Sequence, residues 1–216
     1  MDNKVLVITI FAIVVTVILI VITQVWKQSI FKKLFSYLQQ GKFDEYFKLL
    51  DSFGCKYFYP AFNREYMRLN GYMMKADVKK IEECFDLILH MRMNKKQELD
   101  VVIKAFYYYL DEENKKKCKT MLTRLKNIAD ENIYKECKVI YDILLEEKTI
   151  YIDDMEEQLK EEGLQAPQKG MFHYMLALQY SYLNNGQKKR EHLKEASRDL
   201  KGTPYEMKIQ ELMKAK

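Results

Sequence analysis

An uncharged apolar run near the start of the chain constrains the fold more than any other feature of the sequence. It extends from Val5 to Trp26, and 16 of its 22 residues are Val, Leu, Ile or Phe. A helix of this length measures roughly 33 Å at about 1.5 Å per residue, enough to cross a hydrocarbon core of about 30 Å. A lone span in lipid must satisfy its own backbone hydrogen bonds, which favours a helix. We therefore predict a transmembrane anchor over residues 1–26, with residues 5–26 in the membrane.

Two other structures could account for the same run. A cleaved secretory signal usually has a shorter apolar core and a cleavage site after small residues, whereas this run ends in Thr23, Gln24, Val25 and Trp26. A buried strand or helix of a soluble domain is the second alternative, but the run is longer than either usually requires. Trp26 at its end is typical of an anchor at the membrane–water interface.

The charges that flank the run predict its orientation. Asp2 and Lys4 precede it, whereas Lys27, Lys32 and Lys33 follow it closely. Lysine and arginine are enriched on the cytoplasmic side of membrane spans. We therefore expect the chain after Trp26 to lie in the cytoplasm.

Composition indicates an all-α domain over residues 27–216. The whole chain has only 7 Gly and 3 Pro, so few positions break a helix. Its 36 Lys and Arg are nearly balanced by 31 Asp and Glu, and the two signs alternate in clusters along the chain. Such a mixed surface does not predict a nucleic-acid partner.

Apolar residues recur at helical spacing after Trp26, in segments that pair into hairpins. Large apolar residues precede each predicted turn by four positions. The turns themselves are predicted at Gly41, Asp77, Asp111, Thr149 and Gly186, separated by 36, 34, 38 and 37 residues. A fixed period in this range is typical of a helical solenoid, in which neighbouring hairpins bury one another's apolar faces. Asp77, Asp111 and Thr149 are the predicted N-caps of the second helices.

The segments Tyr37-x-x-x-Gly41-Lys42-Phe43 and Tyr182-x-x-x-Gly186 resemble the turn between the two helices of a tetratricopeptide repeat. The resemblance covers about residues 28–214 and implies about five stacked antiparallel hairpins with a C-terminal capping helix. The chain departs from the pattern where the family has a small residue early in the first helix. Those positions hold Leu34, Asn70, Lys104, Asp142 and Gln179. An irregular helical bundle is the alternative fold.

No motif in the sequence predicts an enzyme, a cofactor or a metal site. The spacing of Cys55, Cys84, Cys118 and Cys137 matches no zinc site. Three of these cysteines fall on apolar helix faces, which favours buried free thiols and agrees with a cytoplasmic domain. The histidines His90, His173 and His192 are scattered in the sequence and lack the spacing of a metal-binding helix. Nucleotide-binding and hydrolase motifs are also missing from the sequence.

The resemblance implies a partner-binding groove lined by the first helix of each hairpin. In that register the groove residues are Arg64, Tyr108, Tyr109, His173 and Tyr180. Because three consecutive tyrosines cannot point one way on a helix, we expect Tyr107 in the core and its two successors on another face. Tyrosine and arginine are favoured at protein interfaces. Ordinary surface positions are the alternative for all five residues.

The sequence therefore predicts a membrane-anchored helical-repeat scaffold that binds a protein or peptide partner through its concave face. One alternative is an outward-facing envelope or surface-assembly protein with the same anchor. Another is a sensor or enzyme subunit whose chemistry leaves no motif.

Overall fold

The computed structural model describes residues 3–214, and within that range it contains helices and no strand. The helices are α1 (Asn3–Gln39), α2 (Phe43–Leu50), α3 (Phe53–Phe58), α4 (Ala61–Lys75), α5 (Val78–Leu89), α6 (Lys95–Asp111), α7 (Lys115–Ile128), α8 (Glu131–Leu144), α9 (Ile152–Gln158), α10 (Ala166–Tyr182), α11 (Gly186–Asp199) and α12 (Tyr205–Lys214). The predicted all-α class, with paired helices and a C-terminal helix, is confirmed. The short helix α3 was not predicted.

Helix α1 contains the apolar run and continues beyond it. Every side chain from Ile10 to Ser29 is exposed. The helix is long and apolar enough to cross a membrane. The predicted boundary after residue 26 falls within α1, so the division into 1–26 and 27–216 remains a prediction.

One backbone turn recurs between the paired helices. A residue in the left-handed region ends the first helix: Gly41, Ala76, Glu113 or Asn184, with φ between 52° and 67°. The next amide donates to a tyrosine carbonyl five residues earlier, at 2.9–3.1 Å: Lys42 to Tyr37, Asp77 to Tyr72, Asn114 to Tyr109, and Asn185 to Tyr180. This is the bond pattern of a Schellman turn, which satisfies the carbonyls that a helix end leaves free.

The caps of the second helices differ in part from the prediction. Asp77 caps α5 as expected, accepting a hydrogen bond from the Lys80 amide at 3.2 Å. Asp111 is instead the last residue of α6, and Asn114 caps α7. The turn needs a left-handed residue after the helix has ended, and this moves the cap three positions along the chain. Thr149 does not cap α9, which begins after Tyr151 without a side-chain cap.

The described residues form two compact units, the first ending at Asn94 and the second beginning at Lys95. In the first unit, α2 packs between the end of α1 and α4. Tyr46 of α2 is buried, and its hydroxyl donates to the Met67 carbonyl at 2.7 Å. Gly71 allows this approach, because a Cβ there would lie 2.6 Å from Cε1 of Tyr46.

In the second unit, α6 packs against α7, α7 against α8, α8 against α10, and α10 against α11 and α9. The terminal helix α12 packs on α11. Most of α10 is buried from Tyr174 to Tyr180, which makes it the central helix of this core. The core cluster around it also includes Ile143, Met155, Leu193, Ala196, Leu200 and Ile209.

Candidate partner-binding site

An open pocket of about 770 Å³ lies between α8, α9 and α10 in the second unit. Its apolar wall is formed by Val139, Ile140, Leu164, Met171 and Phe172, with Met155 and Met175 from the buried core. The volume falls in the range of about 300–1,000 Å³ that binding pockets occupy. Methionine side chains are flexible, so the wall can pack against apolar ligands of different shapes.

The pocket is lined by two lysines and two carboxylates, which differ in whether they form ion pairs. Lys135 pairs with Glu131 at 2.7 Å, and Lys138 pairs with buried Asp142. Each lysine thus has a carboxylate partner within the chain, and Asp142 is shared with Lys148 at 3.1 Å. Glu136 and Asp154, which also line the pocket, make no ion pair with any residue in the range 10–214. These two carboxylates are therefore available to a cationic group on a ligand.

Tyr151 forms one wall of the pocket and is held by two buried polar residues. Its hydroxyl donates to Oδ2 of Asp142 at 2.6 Å, and its amide donates to Oε1 of Gln179 at 3.1 Å. The amide nitrogen of Gln179 donates to the sulfur of Met155 at 3.5 Å. Buried polar groups are stable only when such partners are present. The hydrogen bonds to Asp142 and Gln179 thus hold Tyr151 in its position in the pocket wall.

A second polar cluster joins α10 to α9 and α11. The Nδ1 atoms of His173 and His192 lie 2.9 Å apart, and the ring of Tyr180 stacks on His192 at 5.4 Å between centroids. The Tyr180 hydroxyl donates to Oε1 of Glu156 at 2.6 Å, and Nζ of Lys188 lies 3.7 Å from the same oxygen. A hydrogen bond between two Nδ1 atoms requires one ring to donate and the other to accept, so the pair cannot be doubly protonated in this arrangement.

Burial and these contacts shift the pKa values of the cluster. Burial lowers the pKa of His173, and burial together with His173 lowers the pKa of His192. The hydrogen bond from Tyr180 lowers the pKa of Glu156 despite its partial burial, with Lys188 adding to the effect. Burial and the bond to Glu156 raise the pKa of Tyr180 to about 12. Near neutral pH the cluster therefore contains neutral imidazoles beside an ionised carboxylate.

The five predicted groove residues lie in different surroundings. His173 and Tyr180 both contact His192, so the structure brings these two together. Tyr108 is half-buried on α6, and Arg64 is half-buried on α4 of the first unit. Tyr109 is 1% exposed, whereas Tyr107 is 37% exposed. The expectation that Tyr107 fills the core and Tyr109 leaves it is wrong, because the face of α6 that packs contains Val102, Ala105, Phe106 and Tyr109.

Sequence reasoning missed the pocket and the histidine pair. His173 and His192 are 19 residues apart, and only the close packing of α10 on α11 brings them together. Asp142 and Gln179 were visible as departures from the repeat pattern, and they are the two buried polar residues among residues 10–214. A polar residue where a small one is expected was therefore the one available signal for the pocket wall.

No cluster of three or more potential metal ligands occurs within residues 3–214. No protein-family model, curated protein or solved structure matches the chain.

Proposed function

We propose that the protein is a single-pass membrane protein whose tetratricopeptide-like domain binds a segment of a partner protein. The observation that carries the proposal is the apolar pocket between α8 and α10, beside the second helix α9. In the predicted register, α8 and α10 are the first helices of successive pairs, and these helices line the binding face in the resembled family. The proposed role is contact, without catalysis or a cofactor.

The recurring turn supports a helical-repeat origin for the domain. Tyr37, Tyr72 and Tyr109 accept the same hydrogen bond and are spaced 35 and 37 residues apart. A repeated unit of this length is expected when each hairpin needs its neighbours to cover its apolar face.

The chemistry of the pocket indicates the kind of segment that would bind. Its wall is apolar and rich in methionine, and Glu136 and Asp154 also line the pocket. An amphipathic helix with Lys or Arg beside its apolar face matches both features. Membrane anchoring would raise the effective concentration of the domain near other membrane-bound proteins, so weak contacts in the pocket would suffice.

The lysine bias after the span and four buried free thiols support a cytoplasmic domain. Topology can be tested by replacing exposed Met207 with cysteine and labelling intact cells with a membrane-impermeant thiol reagent. The native cysteines are buried and give little background. Labelling of Met207→Cys only after the membrane is opened supports the cytoplasmic domain. Labelling of intact cells supports the outward-facing alternative.

The binding proposal is tested by photocrosslinking the full-length protein in its native membrane. A photoreactive amino acid replaces Met171 in the pocket wall, and the matched control replaces Met207 on α12, in the same unit but outside the pocket. We expect adducts of defined mass from position 171 that are missing from position 207.

A second-site change decides whether those adducts come from the pocket. Ile140→Glu places a charge in the apolar wall and should abolish crosslinking from position 171. Equal adducts from both positions, or adducts that survive Ile140→Glu in a folded variant, would contradict pocket binding.

A further inference from the structure

Helix α3 exposes a pair of aromatic side chains in the first unit. Phe53 is 84% exposed, the largest fraction among the large hydrophobic side chains of residues 10–214, and Tyr57 is 71% exposed. Their ring centroids lie 6.2 Å apart at an interplanar angle of 22°. Large apolar groups exposed side by side mark surfaces that contact a partner or a membrane.

The opposite face of α3 is tied to α1 just after the apolar run. The hydroxyl of Tyr59, which follows α3, donates to the carbonyl of Lys27 at 2.9 Å. A Cβ on Gly54 would lie 3.4 Å from Cδ1 of Ile30, so the α3 backbone packs directly on that residue. Lys27 follows Trp26, the last residue of the run. Along the helix axis, Ile30 lies about 6 Å beyond Trp26. The headgroup layer on each side of a bilayer is about 5–7 Å thick, so α3 lies at its level.

The two chain segments that form this contact carry only positive charge, and Asp51, which precedes the second segment, is paired with Arg68 at 2.7 Å. Lys27, Lys32, Lys33 and Lys56 are exposed, and residues 27–43 and 52–60 contain no Asp or Glu. Lysines next to a membrane span are attracted to anionic lipid headgroups, and tyrosine and other large aromatic side chains are favoured at the interface itself.

We propose that α3 is a second membrane contact, in which Phe53 and Tyr57 insert into the headgroup layer of an anionic bilayer beside the span. The four lysines contact the headgroups around them. The inference rests on the membrane anchoring proposed above and adds that the first unit is held against the bilayer surface.

The first unit also offers a matched control position away from the bilayer. Met74 is exposed on α4, about 20 Å along that helix from Ala61. Tyr72 of α4 stacks on Phe47 of α2 at 4.3 Å between centroids, and α2 follows the end of α1 that is remote from Trp26. The C-terminal end of α4 therefore lies near that remote end, beyond the headgroup layer.

The test uses the full-length chain in vesicles of phosphatidylcholine and phosphatidylglycerol with bromine on the acyl carbons nearest the headgroup. Trp26 is the only tryptophan, so Trp26→Phe gives a silent background in which Tyr57→Trp and Met74→Trp are compared. Quenching of Trp26 in the native chain, with flotation of the vesicles, reports the anchor itself. We expect bromine to quench Tyr57→Trp at least about threefold more than Met74→Trp, because brominated acyl carbons reach only residues in the interface.

The outcomes separate this inference from the anchoring on which it rests. Strong quenching of Trp26 and of Tyr57→Trp, with weak quenching of Met74→Trp, supports it. Quenching of Trp26 alone, with Tyr57→Trp open to aqueous iodide, overturns it and leaves the anchor standing. Equal quenching at 57 and 74 also overturns it, because the unit would then lie flat on the bilayer. A chain that fails to float with the vesicles overturns both proposals.

Discussion

The hydroxyl of Tyr151 donates a 2.6 Å hydrogen bond to Oδ2 of Asp142, so a buried carboxylate on α8 fixes an aromatic wall of the apolar pocket. Nζ of Lys148 lies 3.1 Å from the other carboxylate oxygen, and Lys138 pairs with Oδ2. Burial alone would raise the pKa of Asp142, but the hydrogen bonds from Lys138, Tyr151 and Lys148 outweigh burial and hold it below its ordinary value.

Replacing Asp142 with Asn should destabilise the second unit by about 2 kcal/mol, because charge-assisted bonds at a buried site are lost. The folded pKa of Asp142 is depressed, so its contribution is present above the unfolded pKa and is lost as pH falls through the folded value. Asp142→Asn should therefore also flatten the acid dependence of stability. Urea denaturation across pH, followed by circular dichroism in detergent micelles, measures both effects. Asp100→Asn, at an exposed position of α6, is the control and should change neither.

The histidine pair predicts a second loss of stability on acidification, at higher pH. The pKa values of His173 and His192 are lowered on folding, so the unfolded chain binds more protons below about pH 6.5, and the free energy of unfolding falls as pH falls. His192→Gln should remove the part of this dependence that comes from His192, at a cost of about 1 kcal/mol at neutral pH, while burial still keeps the pKa of His173 low. The control His90→Gln changes an exposed histidine of the first unit. A pH profile of unfolding that is the same in both variants would contradict this contribution of His192.

Tyr109 and Tyr107 should respond very differently to truncation. Tyr109→Ala removes a ring that is 1% exposed and should cost about 3–5 kcal/mol. Tyr107→Ala removes a ring that is 37% exposed and should cost about 1–2 kcal/mol. Thermal unfolding of the two variants, each against the native chain, decides the order. The reverse order would mean that the packing face of α6 has been misassigned.

Gly71 should resist substitution although it lies inside a helix. Alanine gains about 1 kcal/mol of helix propensity over glycine, but a Cβ at Gly71 would lie 2.6 Å from the buried Tyr46 ring. We expect Gly71→Ala to lose about 1–2 kcal/mol net, because overpacking outweighs propensity. Gly54→Ala is the matched control, since its Cβ would meet Ile30 at an ordinary 3.4 Å. Chemical denaturation should show Gly54→Ala equal to or more stable than the native chain.

Local patterns predicted the helices better than they predicted what the side chains contact. The apolar run, the paired helices and the cap at Asp77 follow from residues near one another in the sequence, and the structure has all three. Tyr109 is buried in place of Tyr107. Successive residues point about 100° apart on a helix, and in a run of three tyrosines the hydrophobic pattern alone could not determine which ring faces the core. The pocket, the contact of α3 with α1 and the pairing of His173 with His192 all depend on tertiary packing, which no local spacing encodes.

Helix α1 contains no glycine or proline between Asn3 and Gln39, and Leu34 near its end is buried in the core of the first unit. The helix is about 55 Å long and lacks the residues at which helices usually kink. If α1 spans the membrane as proposed, a tilt of the span to fit a thinner bilayer would therefore turn the attached unit through the same angle. The orientation of the first unit relative to the membrane would then depend on bilayer thickness.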